Sequence, residues 1–304
     1  MGRSKALNEK LSLVRLSYLC HRMPGLRWIG KNISPSWFFY WTRFAADLAF
    51  YFYPADRRRV RYVRRALEGS YPEAEIQKIS RRNVAYRKWM LNLVYAWPNW
   101  VKRLPDWVTL EGEEYLRAAS EKGKGALLLS GHAFGFAAFV TPVLAQRGYE
   151  VYRTGRGRRV DQVTRWGKAE NYERWEYINY GEDCWNRAQA LNEMRQALKA
   201  NQIVHTSIRG FPRGDPRLQI DFCYKDFFLD HRLIRIIEIV QASVLPCFAI
   251  CDDQGRLIVK IYPPVAPAGE EVMRVFGSLY ARYLREAPEF TRIWKRVVQQ
   301  QEGW

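Results

Sequence analysis

Along the last two thirds of the chain, short apolar runs alternate with longer amphipathic segments. "ALLLSG" (126–131), "YEVYRTG" (149–155), "QIVHTSI" (202–208), "SVLPCFAICD" (243–252) and "RLIVKIYPP" (256–264) have strand length and β-branched or aliphatic content. Between them lie segments with helical spacing: "EEYLRAASEKGKG" (113–125), closed by glycines, "FAAFVTPVLAQRG" (136–148), "AQALNEMRQALKAN" (188–201), "HRLIRIIEIVQA" (231–242) and "EEVMRVFGSLYARYLREAP" (270–288). "LQIDFCYKDFFLD" (218–230) predicts a strand or hairpin. Strands alternating with helices predict an α/β fold with a mostly parallel central sheet flanked by helices. Residues 1–110 read differently. Apolar positions recur at three and four, as in Val60, Val63, Leu67 and in Leu91, Val94, Tyr95, so this third is predicted to be helical. A helix start is predicted at "SYPEAEIQ", where Pro72 occupies the first turn and acids follow. The chain therefore divides into a helical N-terminal region, 1–110, offering membrane or carrier contact within the same domain, and an α/β core, 111–304.

Charge adds a partner to this picture. A hydrophobic content of 48% supports a large core, but the net charge is +18. Arginines cluster at residues 56–65 and 80–88. Such a surplus predicts an anionic partner: a membrane surface, a phosphorylated ligand or an acidic protein. No nucleic-acid recognition motif accompanies the charge, so nucleic acid is not the expected partner.

Residues 34–54 are crowded with aromatics but interrupted by Arg43 and Asp47. They predict a helix lying in the headgroup layer or buried as an ordinary aromatic helix, rather than one crossing a bilayer. Residues 125–146 lack Asp, Glu, Lys and Arg, yet Gly131, Gly135 and Pro142 split them into a strand, a turn and a helix. No secretory signal is read at the N-terminus, and Leu7 breaks the myristoylation pattern at Gly2. The five cysteines give an odd count without zinc spacing. Neither a disulfide framework nor a metal or other cofactor is expected, and Cys247 and Cys251 share one face of a strand. The expected location is the cytoplasm, peripheral on the inner face of the membrane if the aromatic helix binds lipid.

The candidate chemistry lies in "LLLSGHAFGF". His132 follows a buried strand and precedes a small-residue helix start. Ligands of open α/β sheets bind at such strand ends, and glycine lets them approach the backbone. Backbone N–H groups at the helix start can hold a phosphate or a developing oxyanion. Among the other histidines, His21 lies in a basic helix and His231 begins one, whereas His205 falls inside a central strand. Arg209 and Arg213, in a Gly/Pro turn, either clamp a phosphate or belong to a solvated loop.

The order of these pieces resembles the lysophospholipid acyltransferase superfamily, within it the lipid A lauroyl/myristoyl acyltransferases. "GKGALLLSGHAFGF" is similar to that family's entry into a strand ending at the catalytic His, followed by Phe-Gly. "RGYEVYRTGR" is similar to its next strand, with Arg153. "FPRGDPRLQIDFCYKDFFLDHRLIRIIEIVQASVLPCFAI" and "REAPEFTRIWKRV" are similar to its later blocks. The resemblance covers residues from about 40 to 300. It implies an acyltransferase that uses acyl-CoA or an acyl carrier protein as thioester donor. His132 would be the general base, with Gly131, Phe134, Gly135, Arg153, His205, Arg209 and Arg213 as substrate-binding residues. The family also often carries an acid where His205 stands.

One position departs from the family. The pattern is His, four residues, then Asp or Glu; five residues after His132 stands Ala137. The acid orients the imidazole and steadies the imidazolium that forms, and losing it in a comparable triad costs about 10⁴ in rate. Three readings follow. Another acid (Asp161, Glu170 or Asp215) substitutes; the acceptor is an amine that needs a weaker base; or the site is non-catalytic and binds lipid or a carrier-tethered intermediate.

Overall fold

The computed structural model describes Trp37, Tyr40, Phe44 and residues 54–100, 107–131, 137–155, 175–179, 184–208, 210–211, 219–222, 225–229, 237–239, 241–252, 254–266, 268–291 and 293–302. The helices α1 (Pro54–Leu67) and α2 (Glu73–Trp100) come before β1 (Val108–Glu111) and α3 (Glu113–Glu121). Then come β2 (Ala126–Gly131), α4 (Ala137–Gln146), β3 (Val151–Gly155), β4 (Trp175–Asn179), α5 (Cys184–Lys199) and β5 (Ile203–Ile208). The chain continues through β6 (Gly210–Phe211), β7 (Gln219–Phe222), β8 (Lys225–Leu229), β9 (Ser243–Cys251) and β10 (Leu257–Ile261). It ends with α6 (Gly269–Glu286), a 3₁₀ turn at Pro288–Phe290, and α7 (Trp294–Gln301).

Seven strands form the central sheet in the order β1-β10-β9-β2-β5-β3-β4. From β9 to β4 all neighbours are parallel. The β9–β10 pair is antiparallel and β1 follows β10, so the last two strands run the other way. The α/β architecture with a mostly parallel sheet and N-terminal helices agrees with the sequence pattern. Every residue of β2 is buried, as expected for a strand covered on both faces. Next to the edge strand β1, β10 alternates buried with half-buried positions, and Lys260 bonds its register partner Glu111 at 3.0 Å on the wetter face.

The two faces of β2 are covered by different helices. Ser130 points towards α4, while the missing side chain of Gly131 points at Tyr280 of α6. Cys247 and Cys251 both lie buried on β9, as the spacing of four implied, and burial pushes the Cys247 thiol well up. The predicted hairpin forms: β7 and β8 pair antiparallel, with Phe222 opposite Lys225, and β6 joins them in a separate three-stranded sheet.

The N-terminal helices dock on the C-terminal end of the chain. Asn83 of α2 donates to the carbonyls of Glu289 and Thr291, both at 2.7 Å, and Tyr86 meets Phe290 edge-on at 5.2 Å. Arg65 of α1 pairs with Glu302 at 2.6 Å. The predicted start near Pro72 is present, with the Pro72 carbonyl accepting from the Glu75 and Ile76 N–H groups. Trp37, Tyr40 and Phe44 are helical, and each is more than half exposed. Among the described residues no helix is long and apolar enough to cross a membrane.

Two strands depart from the sequence reading. The strand Val108–Glu111 has its first three residues inside the third expected to be helical, 1–110, but pairs with β10 as an edge strand. Trp175–Asn179 pairs with β3 at the other edge and carries no strand prediction. Both are short, and both gain their backbone partners only from a neighbour distant in sequence.

Candidate active site at the reversal of the sheet

The sheet order fixes one special place. The connection leaving β2 passes over β5 to reach β3, whereas the connection leaving β5 passes back over β2 to reach β9. The connections of these two adjacent strands therefore run in opposite directions across the sheet from their C-terminal ends. Such a reversal opens the crevice in which α/β proteins bind their ligands. The last pair on the α4 face there is the buried Ser130 and the half-buried Ser207, register partners whose hydroxyls are 2.8 Å apart. His132 is the second residue after Ser130 in the chain.

Behind this pair sits His205, which is only 1% exposed. Its Nε2 is 2.8 Å from Ser130 Oγ, and its Nδ1 is 2.8 Å from Thr141 Oγ1 on α4. A buried imidazole with both nitrogens engaged by neutral hydroxyls meets the general requirement that buried polar groups be paired. Burial disfavours its charged form and the Arg153 guanidinium repels it, so its pKa falls to about 3 and the ring is neutral. Arg153 is the register partner of His205 on β3 and is half-buried. On the opposite face Thr154 donates to Thr206 at 2.9 Å.

Of the residues singled out from the sequence, Gly131, Arg153 and His205 lie on adjoining strands of the sheet. The Cα of Gly131 is covered by an aromatic ring. A Cβ there would stand 2.4 Å from Tyr280 Cε2 and 3.2 Å from Phe248 Cε1, so the glycine admits the ring of α6. His132, Phe134, Gly135, Arg209 and Arg213 lie outside the described residues, as do His21, His231, Asp161, Glu170 and Asp215. Ala137, at the motif's acidic position, is buried in the first turn of α4. Thr141 stands one helical turn further on and reaches His205. Among the described residues no three His, Cys, Asp or Glu side chains come together as metal ligands would.

The sequence reading missed Ser130, Ser207 and Thr141. A signal was present for the serines: each stands in a strand, two residues along the chain from a histidine, and alternation puts Ser207 on the same face as His205.

No curated protein matches the chain. The sequence does match the family model described as bacterial lipid A biosynthesis acyltransferase, over residues 28–290. With that match spanning most of its 304 residues, the chain belongs to the bacterial lipid A biosynthesis acyltransferase family.

Proposed function

We propose that the protein moves an acyl group from a CoA or acyl-carrier-protein thioester to a hydroxyl or amine acceptor, with His132 as general base. For a hydroxyl acceptor, the imidazole takes the proton as the oxygen attacks the thioester carbonyl. The carbon–sulfur bond then breaks, and the imidazolium returns the proton to the leaving thiolate. An amine acceptor attacks first and loses its proton afterwards. That order asks less of the base and suits a chain with Ala137 where the acid normally stands.

The observation that carries this reading is the position of Gly131. It ends β2 at the reversal of the sheet, one residue before His132, in a chain of the acyltransferase family. In this reading Phe134, Gly135, Arg153, Arg209 and Arg213 contact donor or acceptor, the arginines through phosphate. The net charge of +18 suits an acidic carrier or a phosphorylated donor. Turnover of acyl-CoA and acyl-carrier donors, with hydroxyl and amine acceptors, is to be compared between wild type and His132→Ala. Loss of at least about 10²-fold is expected; equal turnover ends the mechanism.

Ala137 also favours a second reading, a non-catalytic member that binds an acyl ligand. Native mass spectrometry showing a retained acyl group with no product under any donor would select it.

We also propose attachment to an anionic membrane surface through the N-terminal region. Trp37, Tyr40 and Phe44, spaced three and four apart on a helix and exposed, are the support. Each flanking arginine adds about 1 kcal/mol against anionic lipid. Replacing the three aromatics by Ala is expected to reduce co-sedimentation with phosphatidylglycerol vesicles; unchanged binding excludes this contact.

A further inference from the structure

Four polar side chains line up on the α4 face of the sheet behind the proposed site. From the interior outwards they are Thr141, His205, Ser130 and Ser207, linked by three contacts of 2.8 Å. The first three are buried, and Ser207 is half-buried, so the chain opens outwards at that hydroxyl. By alternation Ala126 and Leu128, both fully buried, share this face of β2. Aliphatic residues would fill these positions without the desolvation that a buried imidazole and two hydroxyls suffer. The polar chain therefore has a use beyond packing.

We propose that Ser207 hydrogen-bonds the carbonyl oxygen of the acyl thioester at the C-terminal ends of β2 and β5, and that His205 is the positioning residue that aims it through Ser130. The inference rests on the acyl-transfer reading above. Because each hydroxyl can donate or accept, the chain has two polarities. In one, Thr141 Oγ1–H donates to Nδ1, Nε2–H donates to Ser130, and Ser130 donates to Ser207. That polarity leaves the Ser207 proton pointing away from the network, towards an oxygen on which negative charge develops. In the other, the Ser207 proton is directed inwards. A neutral ring changes between the two by tautomer alone, with no charge created in the interior. The weaker alternative for Ser130, donation to the Thr206 carbonyl at 3.4 Å, lies at the edge of hydrogen-bond range. Thr141 stands one turn beyond Ala137 on α4, so the same network ties that helix to the two strand ends.

The test is a double-mutant cycle on turnover with a saturating acyl-CoA donor, each variant first checked by thermal melting. Ser207→Ala is expected to lower kcat about 100-fold with KM within about twofold, as for loss of one oxyanion donor. Ser130→Ala, which cuts the chain with little change of volume, is expected to match it. His205→Leu should give the same loss, and His205→Leu with Ser207→Ala no further loss, because the two act through one contact. His205→Gln, which keeps a donor and an acceptor, should recover at least about tenfold over His205→Leu. Losses that multiply in the double variant, or a Ser207→Ala enzyme as fast as wild type, overturn the proposal. If His132→Ala loses turnover while Ser207→Ala keeps it, this inference alone fails. If wild type has no turnover, or His132→Ala retains it, the acyl-transfer reading fails and takes this one with it.

Discussion

The two faces of β2 are built for opposite purposes. On the α4 face, Ser130 joins a chain of hydroxyls and a neutral imidazole that opens outwards at Ser207. On the α6 face, one residue along, Gly131 receives the ring of Tyr280. Phe248 and Phe276 stack there at 5.3 Å, Phe276 and Tyr280 at 5.6 Å, and Phe248 lies 4.8 Å from Tyr283. Tyr283 bonds Tyr262, and burial together with that bond pushes its hydroxyl pKa well up. Dispersion and area burial hold the aromatic face, so its members are replaceable only by volume. The polar face is held by a few directional bonds, each specific to its atoms. A single strand thus anchors the sheet on one side and presents chemistry on the other.

That contrast can be broken most severely at the aromatic cluster. Tyr280→Ala removes a fully buried ring and should cost about 3–5 kcal/mol in denaturant unfolding. Gly131→Ala forces a Cβ into the same ring and should cost about 1–3 kcal/mol. Pairing it with Tyr280→Leu should cost less than the sum of the two, since they share one contact. Additive losses would mean that the ring and the glycine are not coupled.

The polar face should reveal itself through pH. The unfolded His205 takes a proton near pH 6.5, whereas the folded ring does not until about pH 3. Between those values the unfolded state holds more protons. This contribution is therefore complete above pH 6.5 and lost as pH falls towards 3, at up to about 1.4 kcal/mol per pH unit. His205→Gln should flatten that slope in urea titrations from pH 7 to pH 4, and an unchanged slope would show that the ring is not buried neutral. The smallest effect belongs to the sheet edge. Lys260 and Glu111 are both about 40% exposed, so Glu111→Gln should change stability by less than about 1 kcal/mol.

Much of this was legible in the sequence, for local reasons. The all-apolar run of β2, the amphipathic spacing of α5 and α6, and the glycines closing α3 are properties of neighbouring residues, and the elements fell where those patterns put them. The strands β1 and β4 were not legible. Four residues reading "VTLE" and five reading "WEYIN" carry too little pattern to stand out from a helical or charged context. His205 stood out as a histidine inside a strand. Its partners did not, because Thr141 is 64 residues away and Ser130 is 75. Gly131 was visible as a glycine beside the candidate base, but the ring that requires it sits on a helix near the other end of the chain.

The sequence by itself determined the alternation of strands and helices, the basic surface, the buried cysteine pair and the motif that lacks its acid. These follow from periodicity and composition, which act over a few residues or over the whole chain at once. Only the tertiary structure decided that β2 and β5 lie side by side at the reversal of the sheet. That adjacency gathers Thr141, His205, Ser130 and Ser207 into one chain, because strand order is chosen by the packing of distant segments and no local pattern encodes it.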